Sequence, residues 1–341
     1  MSHTPAGPTP ARPAITVLTP VFNREELVGQ AIRSVLEQDC VDFELLLVDD
    51  GSTDGTPAVI EQWRQRDPRV VAVSSAVNLG IPGALNLGLA HARGRYVARL
   101  DSDDLMKPRR LAGQAAVLDA HPEVALVSCA YDVVDLDGRH LMTWTGDDPP
   151  EVTAFLLNFF NAVGGGGQVM FRLADVVEVG GYSSTYPSSE DYDLWVRLLR
   201  RGRIETLPFV GMTKRTHAHQ SLERYGGLKR ANWSAIMRSA LEPYLRRRVD
   251  DEEIAALITV WRLDARSGMG RIADRVMRDA FARFRSEVPG SALQACARRR
   301  IARQWYLGAR FFLARGRWRD GLDYLARAAR WRVTVPAAAT G

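Results

Sequence analysis

The chain has 341 residues, 46% hydrophobic and 25% charged, with a formal net charge of +5. That balance suits a globular protein able to bury a sizeable core, organised as one large domain with an appendage or as two domains. No run of about 18 apolar residues occurs, which excludes a membrane-crossing helix, and three well-separated cysteines (Cys40, Cys129, Cys296) suggest neither a disulfide framework nor a zinc site. A reducing cytoplasm suits those cysteines.

The first residues, through about 13, are rich in Pro, Ala and Thr and read as a disordered leader. A β-branched run at 15–18 ends at Thr19-Pro20 and predicts a first strand. Residues 25–38 repeat Leu27, Val28, Ala31, Ile32, Val35 and Leu36 at helical spacing. The continuous apolar run 43–48 has the pattern of a strand buried on both faces, broken by Asp49-Asp50-Gly51-Ser52. A helix starts near Thr53–Thr56, and a strand follows at 69–73. A helix at 82–92 and a strand at 95–100 lead into Asp101-Ser102-Asp103-Asp104, with Pro108 opening another helix. This alternation predicts an α/β fold with a mostly parallel sheet.

Strands are expected at 123–131 and 139–144, joined by the Asp137-Gly138 turn, and again at 168–171 after the four-glycine tract 164–167. Residues 190–201 read as a helix. Beyond about 222 the pattern is helical to 332, with a helical hairpin turning near Gly316. Charge divides along the same line. Residues 1–223 hold 20 Lys+Arg against 29 Asp+Glu, a balance of −9; residues 224–341 hold 25 against 11, a balance of +14. The acidic front suits a metal-binding site, and the basic rear suits an anionic partner, a membrane surface or nucleic acid, or simply a solvated helical surface. Tryptophans 195, 261, 305, 318 and 331 are expected to pack in the core.

In an open parallel sheet ligands gather at the carboxyl ends of the strands. Three predicted strand ends carry unusual residues: Pro20-Val21-Phe22-Asn23, Asp49-Asp50-Gly51-Ser52 and Asp101-Ser102-Asp103-Asp104. Crowded carboxylates repel one another and need a cation to stay ionised; Mg²⁺ or Mn²⁺ prefers such oxygen ligands. No GxxxxGK[ST] occurs, and no GxGxxG follows the first strand, so phosphates would be neutralised by metal rather than cradled by glycines.

The stretches TPVFNREELVGQAIRSVLEQ, FELLLVDDGSTDGT, NLGIPGALNLGLAHARGRYVARLDSDD and SSEDYDLWVRLLRRG resemble glycosyltransferase family 2. The resemblance covers roughly residues 14–222 and implies a GT-A domain (the nucleotide-diphosphosugar transferase fold) followed by a basic all-helical region at 223–335. It implies inverting transfer of a sugar from a nucleotide-sugar donor, most simply a UDP-sugar, to a hydroxyl acceptor. By the same resemblance Pro20, Phe22, Asn23 and Glu25 lie against the nucleotide. Asp50 bonds the base, Asn78 is a further nucleotide-side position, and Asp101-Ser102-Asp103 is the DxD motif. Asp101 would face ribose and metal, and Asp103 would hold the Mn²⁺ or Mg²⁺. His217, in KRTHAHQS, would reach back to metal or diphosphate. Asp191, with Glu190 beside it, would be the catalytic base. Asp104 is extra to the motif and is expected to cap the next helix or orient ligands. The setting implied is surface polysaccharide or glycolipid assembly, in the cytoplasm or peripheral on the membrane's inner face, with no nucleic acid as partner. Two rivals are a non-catalytic sugar-nucleotide-binding module and a nucleotidyltransferase of related fold. The second would need a basic glycine-rich loop after the first strand, where TPVFNREE stands.

Overall fold

A computed structural model describes residues 12–39, 42–216, 226–262 and 268–332. The chain forms two compact units. The first comprises Met1–Thr145, Gly166–Ser184 and Leu207–Gln220; the second comprises Gly146–Gly165, Thr185–Thr206 and Ser221–Gly341.

The first unit opens with β1 (Ile15–Val21), α1 (Val28–Leu36), β2 (Phe43–Asp49), α2 (Thr56–Arg66), β3 (Val70–Ser74), α3 (Gly80–His91) and β4 (Tyr96–Arg99). Every residue of β2 is buried, as a strand covered by helices on both faces requires. The helix α1 buries Val28, Ala31, Ile32 and Val35, the stripe expected from its spacing. Then follow β5 (Leu105–Met106), α4 (Arg110–Ala120), β6 (Val124–Val134) and β7 (His140–Trp144). The unit also contains β8 (Met170–Arg172) and α6 (Leu173–Glu178), which lie beyond α5 (Pro150–Leu156) of the second unit. After α7 (Glu190–Leu198), also of the second unit, comes β9 (Arg203–Arg215), whose residues from Leu207 onward belong to the first.

The sheet runs β3-β2-β1-β4-β8-β6-β9-β5, with β7 on β6. Strands β1 to β4 pair in parallel. Here the expectation of a mostly parallel sheet is corrected: β8 pairs antiparallel with β4 and β6, β7 with β6, and β5 with β9. Helical crossovers return the chain in the same direction only as far as β4. Beyond it a hairpin, turning at Gly138 with φ +80°, and longer excursions bring strands back head to tail. Two helices, α5 and α6, and the strands β5 and β9 carry no periodicity strong enough to have been read in the sequence.

The second unit is helical, with α8 (Gly226–Leu245), α9 (Asp251–Arg262), α10 (Gly270–Glu287), α11 (Ser291–Leu313) and α12 (Trp318–Arg332). The hairpin α11–α12 turns at Gly316, whose φ of +71° glycine adopts without steric penalty. Its core joins Phe155 and Phe159 to Met237, Leu241, Phe281, Phe284, Trp305 and Trp331. Trp195 and Trp305 are fully buried and Trp331 nearly so. Trp261 stacks on Phe159 and Phe160. Trp318 departs from the expectation: it stands 65% exposed at the start of α12. Among the described residues no helix is long and apolar enough to cross a membrane.

Candidate active site

Parallel pairing puts the carboxyl ends of β2, β1 and β4 side by side, and the sequence-predicted residues of these three strand ends gather there. The loops that follow β1 and β2 are latched together. The Asn23 amide N–H donates to Ser52 Oγ at 3.0 Å, and Asn23 Oδ1 accepts from the Thr53 N–H at 2.8 Å. Asn23 has φ +51°, a conformation that asparagine tolerates better than most side chains. The Arg24 N–H donates to Thr56 Oγ1 at 2.7 Å, and Glu25 Oε2 accepts from the Gly55 N–H at 2.7 Å. Asn23 and Glu25 thus fix the shape of this edge through the neighbouring loop. Pro20 lies within β1 opposite Val48, and Phe22 stands 36% exposed just past the strand end.

Asp50 is buried and organises a second loop. Its backbone N–H donates to Val21 O at 2.8 Å, and its Oδ1 accepts from the Leu79 N–H at 2.7 Å. Asn78 Nδ2 donates to Asp50 O at 3.3 Å, while Asn78 Oδ1 accepts from the Gly80 N–H at 3.2 Å. Burial pushes the Asp50 carboxyl up from its ordinary value, against the lowering effect of the Leu79 and Gly80 N–H groups, and Asp49 adds to the rise.

The third strand end is a tight acidic turn in which the Asp104 N–H donates to Asp101 O at 3.1 Å. Two of its carboxylates face a guanidinium. Arg99 Nη2 donates to Asp101 Oδ1 at 2.6 Å, and Arg24 Nε lies 3.4 Å from Asp103 Oδ2. Asp104, 1% exposed, accepts from the Arg215 N–H at 2.9 Å. The Arg215 guanidinium donates to the Asp103 carbonyl and, at 2.8 Å, to Gln30 Oε1. Asp104 therefore ties β9 to the acidic turn and caps no helix; Arg109 precedes α4. Burial alone would raise the Asp101 carboxyl, but Arg99 and Lys214 outweigh it and hold it below its usual range. Burial would likewise lower the Lys214 ammonium, and Asp101 and Asp104 hold it up instead. The Asp104 carboxyl is pushed well above the carboxylate range by burial and by repulsion from Asp101 and Asp103. Ser102 is buried within the turn.

The sequence reading did not place two neighbours at this turn. The glycine tract reaches it: a Cβ on Gly166 would stand 1.8 Å from Arg99 Nη1, and one on Gly167 would stand 3.2 Å from Asp101 Oδ2. Glycine there allows the backbone to lie against the Arg99–Asp101 pair. Below it, fully buried Arg110 donates to Arg99 O at 2.7 Å and to Val169 O at 3.2 Å, bracing the end of β4. Arg99 and Asp101 sit two residues apart along an extended segment and so share a face, a signal that could have paired them in advance.

Glu190 and Asp191 open α7 in the second unit. The residue flanking the helix is Ser189, so Asp191 lies inside the first turn and is not its N-cap. Asp191 Oδ1 accepts from the Tyr192 N–H at 2.7 Å. Asp193 is committed to Arg197, 2.5 Å away one turn on. Ser188, immediately before, has φ +62°, a strained conformation for a residue of its type. Leu194, Trp195 and Leu198 are fully buried and pin the helix. His217 lies outside the described residues.

Among the described residues no three His, Cys, Asp or Glu side chains stand ready as a complete metal-binding group. The donor set nonetheless suits a hard divalent ion. Asp101 and Asp103 present carboxylate oxygens on partly open side chains, 33% and 14% exposed.

A half-parallel sheet flanked by helices, with acidic residues along the carboxyl edge of its parallel strands, is the arrangement of the GT-A fold. The model of glycosyl transferase family 2 matches residues 16–177. The amylovoran biosynthesis glycosyltransferase AmsE of Erwinia amylovora is 31% identical over 217 residues, 62% of this chain and 79% of that protein. The chain belongs to glycosyltransferase family 2 and is a glycosyltransferase that uses a nucleotide-sugar donor. Two solved structures share the fold. S. aureus TarS 1–349 in complex with UDP-GlcNAc has TM-score 0.58 and 18% identity, covering 93% of this chain and 91% of that one. Mannosyltransferase PcManGT from Pyrobaculum calidifontis, in complex with GDP-Man and Mn²⁺, has TM-score 0.54 and 20% identity, covering 95% and 88%.

Proposed function

We propose that this glycosyltransferase moves a sugar from a UDP-sugar to a hydroxyl acceptor with inversion, assisted by Mn²⁺ or Mg²⁺, in the assembly of a cell-surface polysaccharide or glycolipid. The observation that carries the reading is the spacing of two acidic stations on one sheet edge. Asp50 follows β2 and Asp101 follows β4, with β1 between them. Two strand spacings are about 10 Å, a span that a nucleoside covers from its base edge to its diphosphate.

Asp50 Oδ1 accepts from the Leu79 N–H, and a carboxylate has further lone pairs with which to accept a ring N–H of uracil. Phe22, exposed just past the end of β1, offers a ring for stacking. Asp101, Asp103 and His217 are the residues that would hold the metal, with Ser102 alongside. The metal, when bound, supplies positive charge against the departing diphosphate. Arg24, Arg215 and Lys214 add fixed positive charge around the acidic turn. Asp191 takes the proton of the attacking hydroxyl, which bonds to the anomeric carbon as the bond to the diphosphate breaks. Glu190 supports it. The Mn²⁺ bound by PcManGT and the UDP-GlcNAc bound by TarS support a metal and a uridine donor. The amylovoran biosynthesis assigned to AmsE supports a polysaccharide product. Family membership weighs against a nucleotidyltransferase.

The test is release of free nucleotide by the purified chain from UDP-, GDP- and dTDP-sugars, with EDTA and with Mn²⁺ or Mg²⁺ restored. UDP-sugars should be preferred, EDTA should abolish turnover, and Asp103→Asn should resist rescue by the metal. Full turnover after metal stripping would remove the metal from the scheme.

A further inference from the structure

The arginine runs hold only part of the basic surplus of the C-terminal helices. In Arg246-Arg247-Arg248, Arg247 is taken up by Glu253 at 2.8 Å and Asp279 at 3.5 Å. In Arg298-Arg299-Arg300, Arg300 pairs with Asp148 at 3.0 Å and Arg298 lies over the Phe281 ring. Half of both runs is thus committed inside the second unit.

A different part of that unit concentrates uncommitted charge. Between α10 and α12 lies an open cleft of about 570 Å³ whose lining is charged throughout: five arginines (271, 275, 278, 327 and 330) and three aspartates (274, 279 and 323). The aspartates are engaged. Asp274 accepts from Trp331 Nε1 at 2.8 Å and Arg278 Nε at 2.9 Å, with Arg327 at 3.4 Å. Asp323 is gripped by the Arg327 fork at 2.9 and 3.0 Å, and Asp279 faces Arg247. Arg275 reaches Glu253 at 3.6 Å. Arg271 and Arg330 have no carboxylate partner among the described residues, and both open onto the cleft. Gly270 lets the helices close at this end: a Cβ there would stand 2.9 Å from Asp323 Oδ2 and 3.1 Å from Arg327 Nε. The first turn of α10 carries no acidic residue to compensate its positive end.

We propose that this cleft binds a phosphate-bearing anion through Arg271 and Arg330. Five positive charges against three negative leave an excess of two, which a phosphate monoester dianion matches. Guanidinium groups also meet phosphate oxygens in pairs of parallel hydrogen bonds. The Asp274–Arg327–Asp323 lattice makes a rigid floor and holds Arg327, which is itself buried, in place. The phosphate belongs either to a soluble phosphorylated compound or to a lipid headgroup.

The full chain is titrated calorimetrically with inorganic phosphate at constant ionic strength, with chloride as the balancing anion and excess UDP filling the donor site. Wild type should bind phosphate saturably. Each charge-assisted bond contributes roughly tenfold in affinity, so Arg271→Gln/Arg330→Gln should weaken binding tenfold or more. Arg246→Gln/Arg248→Gln, which removes the same charge from exposed positions elsewhere, should leave it within about twofold. Flotation then identifies the source. If wild type floats with phosphatidic acid vesicles, whose headgroup is a phosphate monoester, and not with phosphatidylcholine, and the 271/330 variant does not float, the phosphate is a headgroup's. If phosphate binding is lost in the variant and vesicle binding is indifferent to it, the ligand is soluble. Absence of saturable binding to wild type, or equal binding by the folded 271/330 variant, overturns the proposal.

Discussion

Replacing Gly166 with alanine should show how tightly the glycine tract is fitted to the acidic turn. The new Cβ would stand 1.8 Å from Arg99 Nη1 and 2.5 Å from its Cζ, where unstrained carbon contacts need about 3.5 Å. The Arg99 side chain is only 5% exposed and has little room to retreat. Two responses are open. If the backbone gives way, overpacking costs about 1–3 kcal/mol. If Arg99 turns aside, Asp101 loses a charge-assisted bond of about 1.5–3 kcal/mol. At about 2–4 °C per kcal/mol for a domain of this size, Tm should fall by several degrees. Donor KM should rise as well, because Asp101 is displaced. Gly167→Ala, whose Cβ would meet Asp101 Oδ2 and Met212 Sδ at 3.2 Å, should be milder. The decisive measurement is a double-mutant cycle with Arg99→Ala, read by thermal melting and by nucleotide release. Without the guanidinium, the alanine at 166 has space, and its added cost should nearly vanish. Costs that add to within about 0.5 kcal/mol would mean that the two residues do not meet, and the reasoning would fail.

Two further perturbations address the base and the acid limb. Because Ser189 is the residue that flanks α7, Asp191→Asn should leave Tm unchanged while cutting turnover by about 10²–10⁴ at normal donor affinity. Wild-type turnover would shift the role to Glu190, to be checked with Glu190→Gln. The Lys107 ammonium, 2.5 Å from Asp132, is the largest of the causes, with Thr143 next, that hold the Asp132 carboxyl below its ordinary value. Stability from that pair is present above the unfolded pKa and lost as pH falls through the folded one. Lys107→Met should therefore melt lower than wild type above about pH 5, with the gap closing on acidification; a gap that widens toward low pH would contradict the assignment.

Much of this protein is legible in one dimension. FELLLV is a run too continuous for a half-exposed strand, and β2 is buried along its whole length. The stripe of α1 and the turn at Gly316 follow from local spacing and local backbone freedom, which neighbours in sequence decide. The acidic stations are legible for the same reason, since Asp50 and Asp101 each stand directly after an apolar strand. What surrounds them was not. Arg215 reaches Asp104 across 111 residues of sequence, Arg24 faces Asp103, and Gly166 lies on Arg99. Hydrophobic periodicity records which face of an element is buried but not which distant element covers it. For the same reason only the tertiary structure joins α5 and α7 to the C-terminal helices in one compact unit. Only it decides, likewise, which arginines of a uniformly basic stretch meet carboxylates and which are left to face a cleft. Charge pairing depends on separations of a few ångströms in space, and those are set by how the helices pack.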